Sequence, residues 1–177
     1  MSGGEVVVVP QEHGLRGMIV CITDQAGQPG LMVLDVASDS STVLASADCS
    51  WRSVPAVAPS GERVALQGAD GRLKIVNVRA DQTESIGEPI SGLITLRWSP
   101  GGGSVMYELD ATTHVVSLDE TCGQSSLVAA MAAWMGDGSQ IAYVADSTLH
   151  AMDMWTGEAV QLTEGPERIW GVAASLD

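Results

Sequence analysis

Four stretches of this chain fall into register at intervals of about 40 residues, and that repeat constrains the fold more than any other feature. They are RGMIVCITDQAGQPGLMVLDV from Arg16, ERVALQGADGRLKIVNV from Glu62, GSVMYELDATTHVVSLD from Gly103 and SQIAYVADSTLHAMDM from Ser139. Each is an apolar, β-branched run, a turn holding an aspartate, then a second apolar run. Ile19, Val64, Val105 and Ile141 mark equivalent positions, 45, 41 and 36 residues apart. A unit this small cannot bury its own apolar face and has to stack on its neighbours.

Each repeat reads as four short strands, A to D. In the third unit these are LITLRW, SVMYEL, HVVSLD and a strand near SSLVAA, and in the fourth AMAAW, QIAYVA, LHAMDM and AVQL. The second runs VPAVA, RVALQG, LKIVNV and a short strand near Glu84 to Ile86. In the first unit MIVCITD, LMVLDV and STVLAS supply B, C and D, but strand A is unclear; EVVVVP (Glu5 to Pro10) is the available segment. At the far end IWGVAASLD reads as one more A strand. The expected fold is therefore all-β, a β-propeller of about four four-stranded blades in a single domain over 1–177, with units near 5–50, 53–92, 93–130 and 131–163 and an extra strand at 168–175. About 17 strands with one left over pose a question of closure, because open sheet edges promote aggregation. Either four blades close on themselves, or two chains pair as a homodimer into an eight-bladed ring, the arrangement favoured here.

Composition narrows the partners. Twenty-two acids against eight bases give a net charge of −14, and Lys74 is the one lysine. Such a chain repels phosphate backbones and anionic lipid, so neither nucleic-acid binding nor membrane insertion is expected. No 18-residue apolar run and no secretory leader pattern is present. The chain reads as cytoplasmic if full-length, and as periplasmic or secreted if a targeting segment has been removed. Cys21, Cys49 and Cys122 form no C-x-x-C pair; buried thiols are expected, with a Cys21–Cys49 bridge left open.

The phrases WSPGGGSVMY, APSGERVAL and WMGDGSQIAY resemble the WD-like repeat of TolB-type β-propellers, in which an aromatic or small residue precedes Ser-Pro-Asp-Gly and a β-branched strand. The resemblance covers nearly the whole chain after residue 15. Here the tetrapeptide stands as SPGG, APSG and MGDG, and the Trp-Asp dipeptide that ends many WD blades is absent, which favours the TolB-type relatives over the WD-repeat family proper. The resemblance implies a scaffold whose faces bind proteins, peptides or glycans. In some relatives a propeller accompanies a hydrolase domain of the prolyl-oligopeptidase type.

Three groups of residues are candidates for function. Asp24, Asp70, Asp110 and Asp146 follow the marker positions by five or six residues, so four carboxylates on B–C turns could ring one face; aspartate is equally a turn former through its own side-chain hydrogen bonds. Trp51-Arg52 and Arg168-x-Trp170 each precede an innermost strand on the same face as the B–C turns, and Trp and Arg are enriched in binding hot spots. Trp98 and Trp134 are expected to fill space between blades instead. His114 and His150 lie near the starts of successive C strands, but no third ligand stands at metal-site spacing, so no metal or cofactor is expected. No G-x-S-x-G, H-E-x-x-H, P-loop or dinucleotide fingerprint is present. The reading is a non-catalytic propeller binding module for a protein, peptide or glycan partner. The alternatives are a half or fragment of a larger propeller accompanying a hydrolase, and a sugar-cleaving propeller enzyme.

Overall fold

A computed structural model describes residues 17–45, 47–92, 94–118, 124–127 (backbone), 131–164, 169 and 171–175. The chain divides into two compact units, Met1–Ile94 and Thr95–Asp177. The described residues form fifteen strands and no helix.

The first unit holds two antiparallel sheets. One is β1 (Met18–Gln25), β2 (Gln28–Asp35) and β3 (Ser40–Leu44), in the order β1-β2-β3. The other is β4 (Ala56–Val57), β5 (Arg63–Gln67), β6 (Leu73–Asn77) and β7 (Gln82–Ile86), in chain order. The second unit holds β8 (Leu96–Trp98), β9 (Ser104–Leu109), β10 (Thr112–Ser117) and β11 (Gln124–Leu127) in one sheet. Its other sheet is β12 (Ala132–Met135), β13 (Gln140–Ala145), β14 (Thr148–Asp153) and β15 (Ala159–Gln161). Every sheet is an up-and-down meander, as short turns between successive strands require.

One ladder position recurs in all four sheets. The residue that follows each third repeat strand donates its N–H to the carbonyl just before the second: Val36 to Gly17, Val78 to Glu62, Leu118 to Gly103 and Met154 to Ser139, at 2.8–3.0 Å. Counting from there, Ile19, Val64, Val105 and Ile141 are structurally equivalent, as the sequence register implies. The first sheet lacks an A strand among the described residues; Glu5 to Pro10 lie outside them. Ile169 and residues 171–175 belong to no strand, so the described part of the extra strand expected over 168–175 is not formed.

The core is built from alternate residues that face the neighbouring sheet. In the first unit Leu31, Val33 and Leu44 pack against Val64, Leu66 and Val76, with Met18, Val20 and Ile22 laid against the cluster. Each such side chain contributes about 1.5–3 kcal/mol when fully buried. In the second unit Met106 and Val115 pack against Trp134, Ile141 and Tyr143. Trp98 and Trp134 are both buried, as expected, and Trp134 Nε1 donates to the Arg97 carbonyl at 3.4 Å. Arg97 in turn donates to the Ala132 carbonyl at 2.6 Å and to Glu108 at 2.9 Å, tying the two sheets of this unit together.

The turns explain the aspartates. Asp110-Ala111 and Asp146-Ser147 are two-residue hairpin loops with φ between 49° and 65° at both positions, the geometry of a type I′ turn. Asp39 and Asp81 take the same left-handed conformation one turn later in their sheets. Asp24 departs from the expectation: it lies inside β1, and the turn is made by Ala26-Gly27. Thr23, Asp24 and Gln25 go on pairing with Gly30, Pro29 and Gln28, so this hairpin is longer than its counterparts, and Asp24 merely caps the turn by accepting from Gly27 N at 2.6 Å.

Cys21 and Cys49 are free thiols. Strand alternation puts Cys21 on the face of the first sheet that carries Ile19, whereas Cys49 sits in the cluster on the opposite face, so the two cannot bridge. Burial pushes the Cys49 thiol above its ordinary value, with the Asp48 charge a smaller cause.

Candidate functional site

The most structured surface feature lies at one end of sheet β4–β7. Three segments meet there: the connection from β3 to β4, the β5–β6 turn and the residues after β7. Gln67, the last residue of β5, joins them. Its carbonyl accepts from Ser50 N at 3.2 Å, and its N–H donates to the buried Ser53 hydroxyl at 2.9 Å. Its side-chain amide donates to the Ile90 carbonyl at 2.9 Å and more weakly to that of Gly71 at 3.4 Å. Ile90 N donates back to the Gly71 carbonyl at 2.9 Å. A buried amide with several partners at once fixes loop geometry, because each lost bond leaves a desolvated polar group.

Trp51 and Arg52 sit on the first of these segments, inside the Ser50–Ser53 turn closed by Ser53 N on the Ser50 carbonyl at 3.0 Å. Arg52 N donates to Ser50 Oγ at 3.3 Å, and its side chain is exposed. Trp51 is 54% exposed, with the exposed Val54 beside it. A large indole held in water by an anchored backbone carries little ordering cost on binding, which suits a contact residue.

Asp70 lies at the same end, on the β5–β6 turn. Its carboxylate accepts from Lys74 Nζ and from Arg72 N, at 2.9 and 3.0 Å. The Lys74 hydrogen bond, then that of Arg72 N, holds its carboxyl below the ordinary value. Lys74 itself is buried in β6 and also donates to Ser85 Oγ at 2.8 Å. Gly68 makes the arrangement feasible, since a Cβ there would collide with the Lys74 side chain and lie 2.7 Å from Asp70 Oδ1.

Of the residues singled out from the sequence, the structure gathers Trp51, Arg52 and Asp70 at this end of one sheet. Asp24 belongs to β1 of the neighbouring sheet, and Asp110 and Asp146 head the hairpins β9–β10 and β13–β14 of the second unit. Arg168 and Trp170 lie outside the described residues. His114 and His150 occupy equivalent positions and each stacks on the tyrosine opposite, Tyr107 at 4.8 Å and Tyr143 at 5.1 Å between ring centroids. Among the described residues no three or more His, Cys, Asp or Glu side chains come together as a metal site requires.

Three residues carry weight that the sequence reading did not assign. Gln67 and Ser53 pin the rim, and only their burial reveals it. Trp155 is 75% exposed on the β14–β15 turn, at the opposite end of its sheet from Asp146. Asp153 Oδ1 holds that turn by accepting from Trp155 N and Thr156 N, both at 2.9 Å. Its sequence signal is a Trp between Asp153 and Gly157, two turn-forming residues, rather than in an apolar run.

Two solved structures similar to this chain are a WD40 β-propeller and TolB. The β-propeller domain of Cps50 (Swd1) from Myceliophteria thermophila matches with a TM-score of 0.57 at 18% identity, over 89% of this chain and 60% of that one. TolB from Acinetobacter baumannii matches with a TM-score of 0.56 at 15% identity, over 82% of this chain and 40% of that one. The fold is that of a TolB-type, WD40-like β-propeller. This chain thus spans less than two thirds of the length of either similar structure. No family model matches the sequence, and no curated protein is similar to it.

Proposed function

We propose that the four sheets belong to one propeller domain acting as a non-catalytic binding module, and that it recognises a protein or peptide through the end of sheet β4–β7 that carries Trp51 and Arg52. The observation behind this reading is the exposed Trp51 on a connection pinned to Gln67 from both sides. Trp and Arg combine contact area with hydrogen-bonding capacity, and the exposed Val54 extends the apolar part of the surface. The net charge of −14 favours a basic partner and makes encounter faster at low salt.

The test is to select peptides from a displayed random library against the folded chain, then titrate one against wild type, Trp51→Ala and Arg52→Ala. Hot-spot truncation costs about 2 kcal/mol or more, a weakening of roughly thirtyfold. Unchanged affinity in both variants would rule this surface out.

A further inference from the structure

The equivalent ladder positions differ sharply in burial at the two ends of the repeat. Val64, Val105 and Ile141 are each 0% exposed, but Ile19 is 52% exposed. Where the packing partner is seen within a unit, the reason is plain. Val64 and Ile141 face the sheet that precedes them in the chain, Val64 against Leu31 and Val33, and Ile141 against Met106 and Val115. Ile19 projects from the same face of β1. Register and alternation put Cys21, Met32, Leu34 and Val43 on that face with it, beside the polar Thr23 and Ser41, so each of the three strands contributes an apolar side chain; Met32 in the central strand is buried, and the exposure lies on the flanking strands. Val43 is exposed as well.

The last sheet shows the complementary deficit on its other face. In the first sheet Ile22, Leu31 and Leu44 are paired in a row across the three strands, and this row packs onto the following sheet. The equivalent row in the last sheet is Val144, Leu149 and Leu162: Val144 pairs with Leu149, and Leu162 N donates to the Leu149 carbonyl at 2.7 Å. Leu44 is 4% exposed; Leu162, the same residue type at the same place in the lattice, is 50% exposed. The adjoining row, Ala133, Ala142, Ala151 and Val160, is apolar too and ends on another exposed side chain, Val160.

The partly open face of the first sheet, exposed at Ile19 and Val43, is thus of the kind that elsewhere in this chain receives a preceding sheet. The open face of the last sheet is of the kind that elsewhere is laid onto a following one. We propose that a second copy of this chain supplies both missing partners. The Leu162 face of each copy packs on the Ile19 face of the other, in two identical head-to-tail interfaces. Such an interface is heterologous and closes when the rotation returns on itself, here with two copies and eight sheets. Because each copy carries −14, the association is opposed by charge and driven by apolar burial. Salt therefore strengthens it, whereas salt weakens capture of a basic peptide at Trp51.

Size-exclusion chromatography with light scattering on the full chain tests this. The wild type is expected at twice the 18.4 kDa chain mass, and Ile19→Asp and Leu162→Asp each at one chain mass. Mixing the two variants restores one intact interface and is expected to return the doubled mass. Maleimide labelling of Cys21, mapped by mass spectrometry, gives a readout that does not depend on a substitution: its rate should fall as wild-type concentration rises. A wild type of one chain mass with concentration-independent Cys21 labelling overturns the proposal. So does a doubled mass that survives both substitutions, or a failure of the mixed variants to associate. Peptide capture at Trp51 is measured separately, so either idea can fail without the other.

Discussion

Lys74 Nζ lies 2.9 Å from Asp70 Oδ2, four residues back across the β5–β6 turn, and the ammonium is buried while the carboxylate faces water. The asymmetry predicts unequal effects of removing each partner. Asp70→Ala leaves a buried ammonium with Ser85 in place of a carboxylate and should destabilise by about 1–3 kcal/mol. Lys74→Met fills the same space without a charge and should lose no more than about 1 kcal/mol. The carboxyl is held low in the folded state, so its contribution is complete above the unfolded value near 3.8 and is lost as pH falls through the lower folded value. Urea titrations between neutral pH and pH 3 should show a shallower acid loss for Asp70→Asn than for wild type.

The tryptophans should separate by burial. Trp134 is enclosed between two sheets, so Trp134→Ala should cost about 3–5 kcal/mol and lower the melting temperature markedly. Trp51→Ala and Trp155→Ala remove side chains that stand in water and should shift stability by about 0.5 kcal/mol or less. Thermal unfolding of the three variants side by side decides this; a large loss for Trp51→Ala would assign it to packing rather than recognition.

Two turn substitutions should act in opposite directions. Ala111 holds φ at 59°, which a side chain disfavours, so Ala111→Gly should stabilise by about 1 kcal/mol. Gly138 has φ at +90°, and a Cβ there would lie 3.0 Å from Pro100 Cδ and 3.1 Å from Ser99 Cβ, where the A–B turns of successive sheets touch. Gly138→Ala should therefore cost about 1–3 kcal/mol. Chemical denaturation midpoints at constant slope report both.

Much of the architecture was legible in the residues themselves. Strand patterning and turn chemistry are local, so SVMYEL and QIAYVA coincide to the residue with β9 and β13, and the repeat whose A strand is unclear in sequence shows three strands among the described residues. Burial is not local, and there the tertiary structure decided. Nothing in the sequence distinguishes Leu162 from Leu44; the two differ in whether another sheet lies opposite. Asp24 left the turn because its hairpin continues through Gln25, a matter of register with β2 rather than of spacing from Ile19. Lys74, a charged residue in an apolar run, is buried because Asp70 and Ser85 meet its ammonium and Gly68 leaves room for its stem. Periodicity alone determined that this chain makes stacked β-meanders, whereas the faces left open and the rim that Gln67 holds rigid follow from how those meanders pack.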